Sequence, residues 1–199
     1  MDRAVIAPTP GQTVGPFFGF ALPYAGDSEL VPHDRPDAVR LHGRVLDGAG
    51  DPVPDALLEL WQADAAGRVV RTPGSLRRDG RTFTGWGRAA TSANGEYRFT
   101  TIRPGASHPE RPAFFAITVF ARGLLDRLFT RAYLPDQPAL ADDPVLTALP
   151  ESRRSTLLAA RDGDDLRFDV VLQGRDETVF IDFSGVMAVP AASGGARNE

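Results

Sequence analysis

The sequence predicts an all-β fold, a β-sandwich, on three observations. Residues 39–46, 96–102 and 166–172 alternate apolar and polar side chains with the period of two that a half-buried strand requires. Glycine and proline are abundant, at 20 and 17 of 199 residues, and helix-friendly runs are scarce. Turn-forming clusters separate the apolar runs at short intervals, as between short strands packed in layers. The chain is long enough for one globular domain with a substantial core.

Residues 1–38 read as an extended Pro-rich N-terminal arm. Pro8, Pro10, Pro16, Pro23, Pro32 and Pro36 argue against any helix or central strand there. The same segment carries Phe17, Phe18, Phe20, Leu22 and Tyr24, which need cover, so the arm is expected to pack on a surface.

The sandwich core is expected over 39–185. Val39, Leu41 and Val45 alternate with Arg40, His42 and Arg44, and Asp47-Gly48-Ala49-Gly50-Asp51 then turns the chain. Ala56 to Trp61 reads as a more fully buried strand, and 64–86 as a long loop. Asn94-Gly95 predicts a hairpin with a type I′ turn, whose two central residues both need positive φ. Glu96–Ile102, Ala113–Ala121, Leu128–Leu134, Leu166–Leu172 and Thr178–Phe183 supply further strands. One short helix is expected from Glu151 to Arg161, with an acid in its first turn, a base in its last, and Leu157 and Leu158 on its apolar face. Residues 186–199 are small and polar and read as a flexible tail.

Composition narrows the function. The net charge is −4 without a basic run, which argues against nucleic-acid binding. The absence of cysteine excludes disulfides, thiolate metal sites and a cysteine nucleophile. No apolar run approaches the ~20 residues of a membrane span. Met1 to Pro8 lacks the apolar core of a secretion signal, so a soluble, cytoplasmic protein is expected.

Self-sufficient chemistry is hard to find. His33, His42 and His108 are too far apart in sequence for a short histidine metal motif. His42 reads as part of a solvated strand face, the other two as loop residues. Asp47 to Asp51 has too few carboxylates for a calcium loop and reads as a turn. Asp142-Asp143-Pro144 and Asp162 to Asp165 read as loops flanking the helix. Arg131 stands out, because Phe129, Arg131 and Tyr133 share one face of their strand. An arginine between aromatics is either an ion-pair partner or a receptor for a carboxylate, which its planar fork binds in two parallel hydrogen bonds. Without a family, the chain reads as a binding or assembly domain.

Several segments in order resemble the intradiol dioxygenase family. They are Thr9-Pro10-Gly11-Gln12-Thr13-Val14-Gly15-Pro16-Phe17, Gly43 to Gly48, Leu58-Glu59-Leu60-Trp61-Gln62-Ala63-Asp64 and Gly87-Arg88. Asn94-Gly95, Thr101-Ile102-Arg103-Pro104-Gly105, Phe120 to Gly123, Thr130-Arg131-Ala132-Tyr133, Arg167-Phe168-Asp169 and Phe180 to Phe183 continue the match. The iron-bearing chains of that family hold Fe(III) through two tyrosines and two histidines. Here Pro104-Gly105 leads to Ala106-Ser107 where a tyrosine belongs, and Arg111-Pro112-Ala113 leads to Phe114-Phe115-Ala116 where His-x-His belongs. No tyrosine lies between Tyr24 and Tyr97 to serve as the other.

The resemblance therefore implies the iron-free chain of a two-chain enzyme of aromatic degradation in the beta-ketoadipate pathway. Its partner, an iron-bearing beta subunit, would cleave protocatechuate (3,4-dihydroxybenzoate) with O2, in a higher-order alpha–beta oligomer. It implies no metal ligand and no catalytic residue in this chain. Thr13, Gly15, Pro16 and Arg131 are the implied substrate-binding contributors. Within the family, the other reading is an iron-dependent catechol or hydroxyquinol dioxygenase acting alone, against which the missing ligands count. From other classes, a stand-alone β-sandwich small-molecule or carbohydrate-binding domain, or a scaffold that only stabilises the partner, are the alternatives.

Overall fold

The computed structural model describes Gly15 and residues 18–183. Two sheets face each other across one core. Strands β1 (Ala38–Leu46), β4 (Glu96–Ile102), β7 (Ala160–Asp162) and β8 (Asp165–Arg167) form one sheet in the order β4-β1-β8-β7, and β9 (Val170–Val171) extends it along β1. Strands β2 (Leu57–Trp61), β3 (Trp86–Ala90), β5 (Phe114–Phe120) and β6 (Leu128–Tyr133) form the other in the order β3-β2-β5-β6.

The alternation in sequence fixes which side of each strand is buried. Leu41 and Val45 of β1, Tyr97 and Phe99 of β4, Leu58 and Leu60 of β2, and Phe115, Ile117 and Val119 of β5 turn inward and interdigitate. Each large apolar side chain so buried stabilises the fold by about 1.5–3 kcal/mol. A one-residue slip of β1 against β4 would turn Arg40, His42 and Arg44 into this core, so the register Leu41 to Phe99 is strongly specified.

Several expectations are corrected. Asn94-Gly95 is not a type I′ hairpin, since only Gly95 has positive φ (71°) and the strands on either side belong to different sheets. The Gly95 amide donates to the Ser92 carbonyl, and the Ser92 hydroxyl accepts from the amides of Asn94 and Glu96, making a corner between sheets. The predicted helix stops early. Helix α3 spans Glu151–Arg154, a 3₁₀ turn covers Ser155–Leu157, and the Ala159 amide then donates to the Tyr133 carbonyl. Full burial of Leu157 and this pairing outweigh helix propensity. Asp162 to Asp165 is accordingly the turn between β7 and β8 rather than a helix flank.

Thr178 to Phe183 is extended but is not a strand. It lies along β6 through the Ile181 amide to the Phe129 carbonyl and the Thr130 hydroxyl to the Val179 carbonyl. The arm, expected to lack helix, contains the single turn α1 (Phe18–Ala21), which fits in the proline-free stretch between Pro16 and Pro23. Further along, Leu30 and Val31 are buried and both amides donate to Thr100 at the edge of β4.

The predicted strand Leu166–Leu172 divides into β8 and β9. At the break the Phe168 carbonyl accepts from the Tyr97 hydroxyl, and the Asp169 carboxylate accepts from the Arg44 amide. Gly43 is required opposite this break, because a Cβ there would overlap the Phe168 carbonyl. Residues 64–85 form the expected loop, and Asp47 closes its turn by accepting from the amides of Ala49 and Asp51.

Candidate functional site

The outward face of the β3-β2-β5-β6 sheet is the most chemically distinctive surface. Trp61, Ala116 and Arg131 stand side by side across β2, β5 and β6, and Phe114 pairs with Tyr133 in the neighbouring row. The run Ala56 to Trp61 is expected to be the more fully buried strand, yet the alternation that buries Leu58 and Leu60 turns Trp61 outward, where it is 52% exposed. Glu59 shares that face in an ion pair with Arg88 at 2.7 Å.

Arg131 is held by its neighbours without a carboxylate of its own. Its guanidinium lies over the Phe114 ring, 4.2 Å from the centroid, and donates to the Tyr133 hydroxyl at 3.0 Å. Tyr133 in turn donates to Asp143 at 3.0 Å. Asp143 is buried and also accepts from the amides of Val145 and Leu146, so it caps helix α2 (Pro144–Thr147). Asp143 thus caps a short helix that the sequence does not announce, since only the helix at Glu151 is expected there, and additionally anchors the arginine through a tyrosine. Burial pushes the Tyr133 hydroxyl up to about 12, with Arg131 pulling it back and Asp143 pushing it further. The phenol therefore stays protonated and can donate to Asp143 while accepting from Arg131.

Among the described residues Arg131 forms no ion pair, so its remaining N–H donors are not committed to any carboxylate among them. Phe129, the other aromatic of the predicted trio, instead carries Arg127 at 5.0 Å and packs edge-on against Phe183. Gly15 is exposed, with its carbonyl accepting from the Phe18 amide. Thr13 and Pro16 lie outside the described residues.

Beside Phe114 a cavity of about 320 Å³ opens between this sheet and the 64–85 loop. Ser107, Phe114 and Ala116 all line it, together with Trp61, Val69 and Arg71. The three positions near which the resemblance puts iron ligands are thus brought together in space. Their side chains do not fit a ferric ion, since only the Ser107 hydroxyl offers a lone pair and no imidazole, phenolate or carboxylate lines the cavity. All three tyrosines are occupied elsewhere: Tyr24 donates to the Ser75 carbonyl, Tyr97 to Phe168 and Tyr133 to Asp143. His42 lies on the opposite sheet, 3.0 Å from Asp162, while His33 and His108 are exposed in loops. Among the described residues no three His, Asp or Glu side chains cluster as a metal site, and no helix is long and apolar enough to cross a membrane.

Known proteins match this chain over most of its length. The family model described as "Dioxygenase" matches residues 14–174. The protocatechuate 3,4-dioxygenase alpha chain of Burkholderia cepacia is 40% identical over 192 residues, covering 87% of this chain and 96% of the relative. The protocatechuate 3,4-dioxygenase beta chain of the same organism is 41% identical, but over 151 residues that cover 68% of this chain and 64% of the relative. Among solved structures, the dioxygenase domain of a dioxygenase–carbohydrate-binding fusion from Streptomyces sp. SirexAA-E superimposes with a TM-score of 0.57 at 28% identity, covering 85% of this chain and all of that one. These matches support the intradiol fold, and they favour a dioxygenase subunit over a stand-alone carbohydrate-binding domain.

Proposed function

This chain belongs to the dioxygenase family, and from that premise we propose that it is the alpha subunit of a protocatechuate 3,4-dioxygenase that shapes the substrate pocket while its beta partner holds the ferric iron. The holoenzyme would cleave 3,4-dihydroxybenzoate with O2 to 3-carboxy-cis,cis-muconate.

The single observation that carries the subunit reading is the donor set of the cavity beside Phe114. Its identity to the alpha and beta relatives is nearly equal, so percentage identity alone does not decide between them. A phenyl ring, a methyl group and one hydroxyl at Phe114, Ala116 and Ser107 favour the alpha reading, because they cannot replace the imidazoles and phenolates that bind Fe(III).

What this chain contributes follows from Arg131. A guanidinium stacked on Phe114 and fixed by Tyr133 is pre-oriented, so little side-chain freedom is lost when it meets an anion. In this role it supplies positive potential and hydrogen-bond donors to the substrate carboxylate, orienting the ring without touching the bonds that break. Thr13, Gly15 and Pro16 of the arm are assigned to the same pocket. A Gly-Pro pair suits that task, since neither residue carries a long flexible side chain that would obstruct approach to a flat ring.

Iron content and protocatechuate turnover, measured for the chain alone and after co-expression with a beta chain, test this reading. Iron and activity are expected only in the co-expressed complex. Stoichiometric iron in the isolated chain, or no complex with the beta chain, would overturn it.

A further inference from the structure

We infer that the cavity beside Phe114 is itself a binding site for a small aromatic carboxylate. Its walls come from two sources. Trp61, Phe114 and Ala116 stand on β2 and β5, and Val69 and Arg71 come from the loop that closes over them. Ala116 lies directly beside Trp61 in the strand register, so a methyl group forms the floor between two aromatic side chains. An apolar lining of this kind suits one flat ring.

At about 320 Å³ the cavity is at the small end of ligand pockets, which run from roughly 300 to 1,000 Å³, and so favours one ring over a nucleotide or a sugar chain. Trp61 and Val69 at its rim are 52% and 68% exposed, apolar surface that a ligand would cover.

The charge of the occupant follows from Arg71. It lines the cavity while remaining exposed, which puts it at the mouth, and among the described residues no carboxylate pairs with it. Arg68, three residues earlier, is by contrast satisfied by Asp64 at 2.8 Å. The buried Gln62 cannot take over recognition. Its amide donates to the carbonyls of Ala63 and Ile102, and its oxygen accepts from the Thr101 hydroxyl at 2.5 Å. An apolar slot with one uncommitted guanidinium at its mouth selects an aromatic ring bearing a single carboxylate.

The inference draws on the subunit reading only for the expectation that aromatic acids reach the protein, and the two are tested separately. The probe is benzoate, with benzyl alcohol as its neutral counterpart, in equilibrium dialysis of the full chain and of its co-expressed complex. One benzoate per full chain is expected, with quenching of Trp61 fluorescence. Arg71→Gln should weaken this binding roughly tenfold or more, and benzyl alcohol should bind about as weakly, from loss of a charge-assisted contact. Where the isolated chain aggregates, the complex still decides, since Arg71→Gln should remove one bound benzoate per alpha–beta pair. Absence of benzoate binding, or binding indifferent to Arg71→Gln and to the carboxylate, would overturn the inference. Failure of the complex to form or turn over would overturn the subunit reading alone.

Discussion

On the outer face of the sheet containing β1, each exposed arginine close to a carboxylate is paired with it: Arg40 with Asp165, Arg44 with Glu96 and Arg167 with Asp169, while His42 lies 3.0 Å from Asp162. On the outer face of the opposite sheet, Arg131 rests on Phe114 and a neutral phenol, beside a half-exposed Trp61 and a cavity. Arg98 apart, the first face neutralises its charges locally and in water, where such pairs contribute little. The second keeps a cation fixed but uncommitted, next to apolar surface that needs cover. The two outer faces of this one sandwich thus differ in whether a carboxylate stands beside the arginine.

The largest effect should come from removing the anchor of the working face. Asp143→Ala loses two capping bonds and leaves the buried Tyr133 hydroxyl without its acceptor, which should cost about 2–4 kcal/mol in urea unfolding. A loss below about 1 kcal/mol would mean that Asp143 does not support this face.

Tyr133→Phe should act more mildly and sharpen the comparison through pH. The folded-state pKa of Tyr133 is raised to about 12 against an ordinary value of 10.0, so the folded protein keeps a proton that the unfolded chain releases. The stability this contributes is complete below about pH 10 and is lost as pH rises through about 12. Tyr133→Phe should therefore make the alkaline fall in stability shallower, though not flat, because burial also raises Tyr97. An unchanged alkaline limb would contradict the buried network.

The smallest effect is expected on the solvated face. Asp165→Asn removes the partner of Arg40, yet should leave Tm within about 3 °C and kinetics unaltered. A marked kinetic change would mean that this face, too, takes part in function.

How far the sequence anticipates this depends on whether a signal is local. Strands β1 and β4 follow from alternation, and β5 and β6 from near-continuous apolar runs, because in each the strand's own side chains carry the signal. The end of the helix at Glu151 and the turn at Asn94-Gly95 are not legible locally, because the rest of the fold decides them: Tyr133 captures the chain at Ala159, and the strands on either side of Asn94-Gly95 join different sheets. The same division applies to the site. Arg131 and Tyr133 lie two residues apart on one strand face and are legible together. Asp143, ten residues away on a helix cap, is joined to them only by the fold, and Arg71 meets Phe114 only through the closure of a long loop.

The central claim is that Arg131 serves substrate while the chain holds no iron, and Arg131→Ala assembled with the beta chain tests it most directly. Iron content and assembly should be unchanged and the KM for protocatechuate should rise about tenfold or more, in keeping with loss of a charge-assisted contact, with Arg131→Lys recovering part of it. Wild-type kinetics in Arg131→Ala, or loss of iron along with activity, would contradict the account.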